Sequence, residues 1–167
     1  MGFFTRFWHQ IVIILLTLVP LIESRYAIVW GVANYPELSI TELFILTQLG
    51  AAVLALALLL LLKPVLAWMK STKIFRKLVE WIEKLGMKKG KKLEGKLAKA
   101  KDSKALAWAS VIGVFVFVAV PLPGTGVWTG SLVATLLNIR FRYAFPAVVA
   151  GSICATTIML VIGMIAL

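Results

Sequence analysis

Residues 105 to 139 carry no charged side chain, yet the run VPLPGTG at residues 120 to 126 sets two prolines and two glycines in their midst. A straight helix over the whole stretch would be about 52 Å long, against a hydrocarbon core of about 30 Å, an excess that tilt does not absorb. Broken at the turn, the stretch gives two arms, residues 105–120 and 127–139, of about 24 and 20 Å, each short of a full crossing. The expected path is a re-entrant hairpin that enters the membrane, turns near its middle and leaves on the side it came from. Backbone N–H and C=O groups stranded at such a turn are costly in lipid, so the turn must be buried in protein or line a wet cavity.

A bilayer setting follows from composition. Of 167 residues, 61% are hydrophobic and 15% charged, which is more apolar side chain than one soluble core of this length encloses. Two charge-free runs, residues 43–62 and 143–167, match the roughly 20 residues of a simple transmembrane helix. The N-terminal part repeats the design of the second half: residues 7–22 end near Pro20, the triplet ESR follows at residues 23–25, and a short apolar arm occupies residues 26–35. A shift of 101 residues lays Val19, Pro20 and Leu21 over Val120, Pro121 and Leu122, and Val32, Ala33, Phe44 and Gly50 over Val133, Ala134, Phe145 and Gly151. Break, short arm, loop and full span thus recur in the same order. The expected architecture is an all-α integral membrane protein: a first repeat over residues 1–66, a basic connector over 67–104 and a second repeat over 105–167. Each repeat is a re-entrant hairpin followed by a transmembrane helix.

Charge placement orients these parts. Residues 63–104 hold fourteen Lys or Arg and four acids, which assigns this connector to the cytoplasm by the positive-inside rule. With one hairpin and one span per half, the acidic loop NYPELSITE at residues 34–42 lies outside and NIRFR at 138–142 inside; only Arg6 then faces the wrong way. A single crossing per half makes the two repeats run in opposite directions, an inverted repeat. Within the connector, Trp68, Ile74, Phe75, Leu78, Ile82 and Leu85 recur at helical spacing opposite Lys70, Lys73, Lys77 and Lys84. A surface helix attracted to anionic lipids is expected there, although the lysines also suffice as topology signals.

VPLIESR, followed about a hundred residues later by VPLPGTGVWTGSLVA, resembles the small multidrug export protein family, related to the wider DedA superfamily. The resemblance covers most of the chain outside the connector. It implies paired inverted hairpins with a membrane-embedded acid, and a role in moving lipid carriers such as undecaprenyl phosphate, phospholipids or drugs through the bilayer, often with proton dependence. The chain departs from the DedA pattern in having Gly and Thr where those proteins carry an arginine in the second hairpin, and SRYAIVWG after the first acid. Glu23 and Arg25 are the positions that match.

The candidate site comprises Pro20, Glu23, Arg25, Pro121, Pro123, Gly124, Thr125, Gly126 and Thr129. A carboxylate at the centre of a bilayer helix costs roughly 2.5 to 3.5 kcal/mol on insertion scales, so Glu23 needs compensation. It either binds and releases a proton as the site alternates between sides, or pairs with Arg25 or a half-helix end and fixes the fold. A half-helix starting near Thr125 would present N–H groups to an anion that Gly124 and Gly126 let approach, with Thr125 and Thr129 as hydroxyl donors. The same residues also suffice to build the turn, with Gly126 and Gly130 allowing close packing. No Lys accompanies GTGVWTG, which excludes a phosphate-binding loop. With one His, His9, and one Cys, Cys154, no metal cluster or thiol triad is available. No enzyme activity, cofactor or nucleic-acid partner is expected. The function expected is a multi-pass transporter or lipid flippase of the cytoplasmic membrane, acting as a homo-oligomer with membrane lipids around it; the alternative is a non-transporting lipid-organising or scaffold protein.

Overall fold

The computed structural model describes residues 3–71, 103–122 and 124–166. Among the described residues there are six helices and no strand: α1 Phe3–Leu18, α2 Glu23–Asn34, α3 Ile40–Ser71, α4 Ser103–Ala119, α5 Val127–Leu136 and α6 Phe141–Ala166. Two are long and apolar enough to cross a membrane, over Ile40–Val65 in α3 and Phe141–Ile165 in α6. Both begin a few residues ahead of the charge-free runs, because Glu42 and Arg142 lie inside the helices, in their first turns. α3 also continues past Pro64 to Ser71, so the first residues of the expected connector extend the spanning helix. Pro64 there forgoes one backbone hydrogen bond without ending the helix. The rest of the amphipathic pattern, residues 72–102, lies outside the described residues.

The 101-residue shift carries through to the helix ends. α1 ends at Leu18 and α4 at Ala119, while α3 starts at Ile40 and α6 at Phe141. Both breaks have the same chemical cause: proline lacks the N–H that would continue the helix and pushes its predecessor out of helical conformation. The first break, residues 19–22, is tight and puts Leu21 at φ 81° and Glu23 at φ 50°. Left-handed backbone costs a side-chain-bearing residue about 1 to 2 kcal/mol. The second break spends more chain and gives its left-handed position to Gly124, φ 85°, where no Cβ penalty applies.

Small residues bring the helices together. A Cβ on Gly50 of α3 would overlap the Thr17 hydroxyl of α1, and one on Gly151 of α6 would come within 2.8 Å of the Phe115 carbonyl of α4. One core joins Ala51, Leu54, Ala55 and Leu59 of α3 to Val114 and Val118 of α4, Val127 and Ala134 of α5, and Ala144 and Val148 of α6. A second joins Ile13 of α1 and Ile28 of α2 to Leu38 and Leu43 at the start of α3. Outside, α3 exposes Ile45, Leu49, Val53, Leu56 and Leu60, and α6 exposes Ile158, Val161, Ile162 and Ile165. Such continuous apolar stripes suit hydrocarbon rather than water.

Polar contacts tie the helix starts. Arg6 of α1 donates to both oxygens of Glu42 at 2.7 Å. His9 bonds Glu37 and stacks on Tyr35 with ring centroids 4.2 Å apart. The start of α1 therefore lies beside the end of α2 and the start of α3. In the second half, Trp108 of α4 meets Tyr143 of α6 edge to face at 5.6 Å, so these two helices also start at one level. Thr17 against Gly50, and the Ser24 hydroxyl 2.9 Å from that of Ser152, set the first break near mid-length of both spanning helices.

Candidate functional site

The site is where the two breaks meet. Helix α5 begins with Gly126 as its N-cap, a residue with no side chain to accept the first free N–H groups. Thr129, three residues on, returns its hydroxyl to the Gly126 N–H at 3.0 Å. The missing acceptor comes from the other half of the chain: the Val127 N–H donates to Glu23 Oε2 at 2.9 Å and the Trp128 N–H to Glu23 Oε1 at 3.3 Å. An acid is thus placed at the positive end of a helix dipole, where charge and hydrogen bonding act in the same sense. Gly126 is what admits it, since a Cβ there would overlap the Glu23 carboxylate itself.

Arg25 treats the opposite end in the opposite way. Its Nη1 donates to the Val120 and Leu122 carbonyls, at 3.2 and 3.1 Å, and to the Thr125 hydroxyl at 3.2 Å, while Nη2 donates to the Thr125 carbonyl. The Thr125 hydroxyl reaches the same two carbonyls at 2.7 and 2.8 Å. These carbonyls follow the C-terminus of α4, the negative end of its dipole, which a guanidinium suits. Glu23 and Arg25 are 5% and 4% exposed, and Glu23 Oε2 stands 3.6 Å from Arg25 Nη2. Burying an ion pair costs several kcal/mol per ion unless the remaining lone pairs and protons are satisfied; here the freed backbone of the second break supplies those partners. The indole N–H of Trp128 completes the exchange by donating to the Leu18 carbonyl at the end of α1, at 3.3 Å.

Beside this junction lies a pocket of about 110 Å³, lined by Pro20, Leu21, Glu23, Arg25, Tyr26, Leu122, Gly124, Gly126, Trp128 and Thr129. Six of the candidate residues are thereby brought to one cavity: Pro20, Glu23, Arg25, Gly124, Gly126 and Thr129. Thr125 is held against Arg25 without lining the pocket, Pro121 stays in the break outside the lining, and Pro123 lies outside the described residues. The N–H groups that sequence reasoning offers to an anion are taken by Glu23. Sequence reasoning missed Tyr26 and Trp128, although each adjoins a residue it selected. It also missed a buried hydroxyl cluster in which Ser24 lies 2.9 Å from Ser152 and accepts from Thr156 at 2.9 Å. The signal was present as polar side chains one helical turn apart in an apolar span. Among the described residues no group of His, Cys, Asp and Glu could hold a metal ion.

The sequence model of one family, described as "Putative small multi-drug export protein", matches residues 23–158, from the capping acid to two residues beyond the Thr156 hydroxyl. No curated protein and no solved structure matches the chain. The matched region contains all of α3, the first eighteen residues of α6 and both charged residues of the junction, and the chain is a membrane protein belonging to the small multi-drug export protein family.

Proposed function

We propose that the chain is a multi-pass transporter of the cytoplasmic membrane, not an enzyme, that moves amphipathic molecules with a polar head, phosphorylated lipids included. The observation that carries this reading is the meeting of the two breaks: a buried acid and base from one half close the helix ends of the other, beside a pocket near mid-length of the spanning helices. Irregular backbone at that depth is found where it lines a cavity or pathway, and buried ionisable groups in membrane proteins mark such pathways.

In the same reading the two halves form an inverted repeat of re-entrant hairpins, akin to the DedA superfamily. Three features support it. α1 and α2, with 16 and 12 residues, are about 24 and 18 Å long, too short to cross a 30 Å core singly. The Arg6–Glu42 pair and the His9–Tyr35 stack return the α1–α2 pair to the level where it began. Pairing also neutralises Arg6, the one basic residue that this topology leaves on the outer side against the positive-inside rule. Glu23 exchanges a proton as the site changes sides, and a second copy encloses the pathway that one 18 kDa subunit leaves open.

Reconstitution tests the reading. Proteoliposomes should scramble a fluorescent phospholipid, or release an amphipathic dye, faster than protein-free vesicles, and Glu23→Gln should slow the flux. A folded protein that moves neither would overturn transport. Undiminished flux through Glu23→Gln would remove the proton-carrier role alone.

A further inference from the structure

The geometry points to a cationic head group, an amine or quaternary ammonium on a hydrophobic tail, as the ligand of the pocket between the breaks. This inference rests on the transporter reading and narrows its substrate class. The donors at the site are largely consumed within the protein. The Val127 and Trp128 N–H groups are held by Glu23, both terminal nitrogens of Arg25 by the α4 end and Thr125, and the Trp128 indole by Leu18. An anionic head would have to displace Glu23 from the α5 terminus before finding a comparable donor set.

Part of the carboxylate and two aromatic rings remain. A carboxylate offers about four lone-pair sites, of which the Val127 and Trp128 N–H groups use two, with Arg25 Nη2 a further 3.6 Å from Oε2. Tyr26 and Trp128 line the same cavity, and aromatic faces attract a cation by their quadrupole, most when water is excluded. Glu23 balances the charge of Arg25, which lines the same pocket, and the α5 N-terminus and α4 C-terminus carry opposite partial charges.

Its size and aspect fit a head on a tail. About 110 Å³ is the liquid volume of between three and four waters, which suits a compact ammonium rather than a whole drug-sized molecule. Leu21 and Leu122, on opposite breaks, line it and are 72% and 57% exposed. At mid-length of α3 and α6 these side chains face hydrocarbon in the proposed orientation, so the head enters sideways while the tail stays among lipid chains.

The test compares three amphiphiles of one tail: dodecyltrimethylammonium, dodecanol and dodecyl phosphate. Radiolabelled dodecyltrimethylammonium should bind full-length protein in nanodiscs saturably, above empty nanodiscs, and dodecanol and dodecyl phosphate should not compete. Trp128→Leu should weaken binding roughly thirtyfold, as loss of a desolvated cation–π contact does, and Tyr26→Leu should weaken it less. The inference is overturned if dodecyl phosphate competes as well as the cation, if binding does not saturate, or if both aromatic variants bind unchanged. Flux separates it from the reading beneath it. Transport of dodecyl phosphate without cation binding leaves a transporter with a different ligand, whereas saturable cation binding without flux of any amphiphile leaves the pocket and removes transport.

Discussion

Replacing Gly126 by alanine isolates the cap on α5. Gly126 has φ −105° and ψ −161°, extended backbone that alanine adopts freely, so the substitution carries no conformational strain. Its cost comes from space: the new Cβ would overlap the Glu23 carboxylate and drive it off the Val127 and Trp128 N–H groups. Hydrogen bonds to a charged group contribute about 1.5 to 3 kcal/mol each, and the evicted acid stays in an apolar setting. We expect Gly126→Ala to destabilise the fold by about 3 to 5 kcal/mol. Gly124→Ala is the contrast, with left-handed φ 85° but nothing within 4 Å of the new Cβ, and should cost only about 1 to 2 kcal/mol. Unfolding by increasing SDS mole fraction, followed by tryptophan fluorescence, ranks the two. A double-mutant cycle gives the sharper check. Glu23→Ala already forfeits the cap, so adding Gly126→Ala to it should cost almost nothing further, a coupling of about 3 kcal/mol or more. Additive losses, or a Gly126 variant no weaker than the Gly124 one, would refute the cap.

Two further predictions concern packing and pH. Gly50→Ala should destabilise by about 1 to 3 kcal/mol, because its Cβ would overlap the Thr17 hydroxyl in a close-packed contact; Gly113→Ala, mid-helix with open space around it, should stabilise by up to about 1 kcal/mol, and the same SDS titration compares them. At the α1–α3 rim, a bond to its own backbone N–H, followed by the His9 contact and the Arg6 charge and opposed by slight burial, holds the Glu37 carboxyl below the usual carboxylate range. A depressed carboxylate contributes stability that is present above its unfolded value of about 4.3 and lost as pH falls through the lower folded value. Melting of wild type and Glu37→Gln should therefore differ at pH 7 and converge below about pH 4; a gap independent of pH would refute the linkage.

The helix breaks were legible because length and proline are local facts. VPLPGTG ends α4 and starts α5 within a residue or so of the arms drawn from it, and the starts of α3 and α6, a few residues ahead of the charge-free runs, keep the 101-residue shift. That Glu23 belongs with residues 120–126 was also visible, as a costly charge and a costly turn each in need of a partner. The direction of the match was not visible. Whether Glu23 turns to Arg25 or to a helix end depends on how α2 docks against α5, which is set by the approach of Gly126 and by packing far along the chain at Gly50, Ser152 and Gly163. Trp128 was hidden for a related reason: a tryptophan in an apolar run reads as lipid-facing or core, and its N–H finds Leu18 only once the halves are assembled.

The junction also constrains how the protein can move. Glu23 and Arg25 both belong to the first turn of α2, and between them they hold both ends of the second break. A rigid displacement of α2 away from that turn cannot release one end and keep the other, so the bonds to Val127, Trp128, Val120, Leu122 and Thr125 break together. Such coupling favours two discrete arrangements over a gradual series. The left-handed Leu21 and Glu23 sit on the hinge side of the same turn. Their strain, of order 1 to 2 kcal/mol per residue, is held in place by the bonds that would break, and its relief offsets part of the cost of release. The tight first break thus carries the strain, while the longer second break places glycine at its left-handed position and carries none there, a division that follows from the unequal lengths of two otherwise corresponding turns.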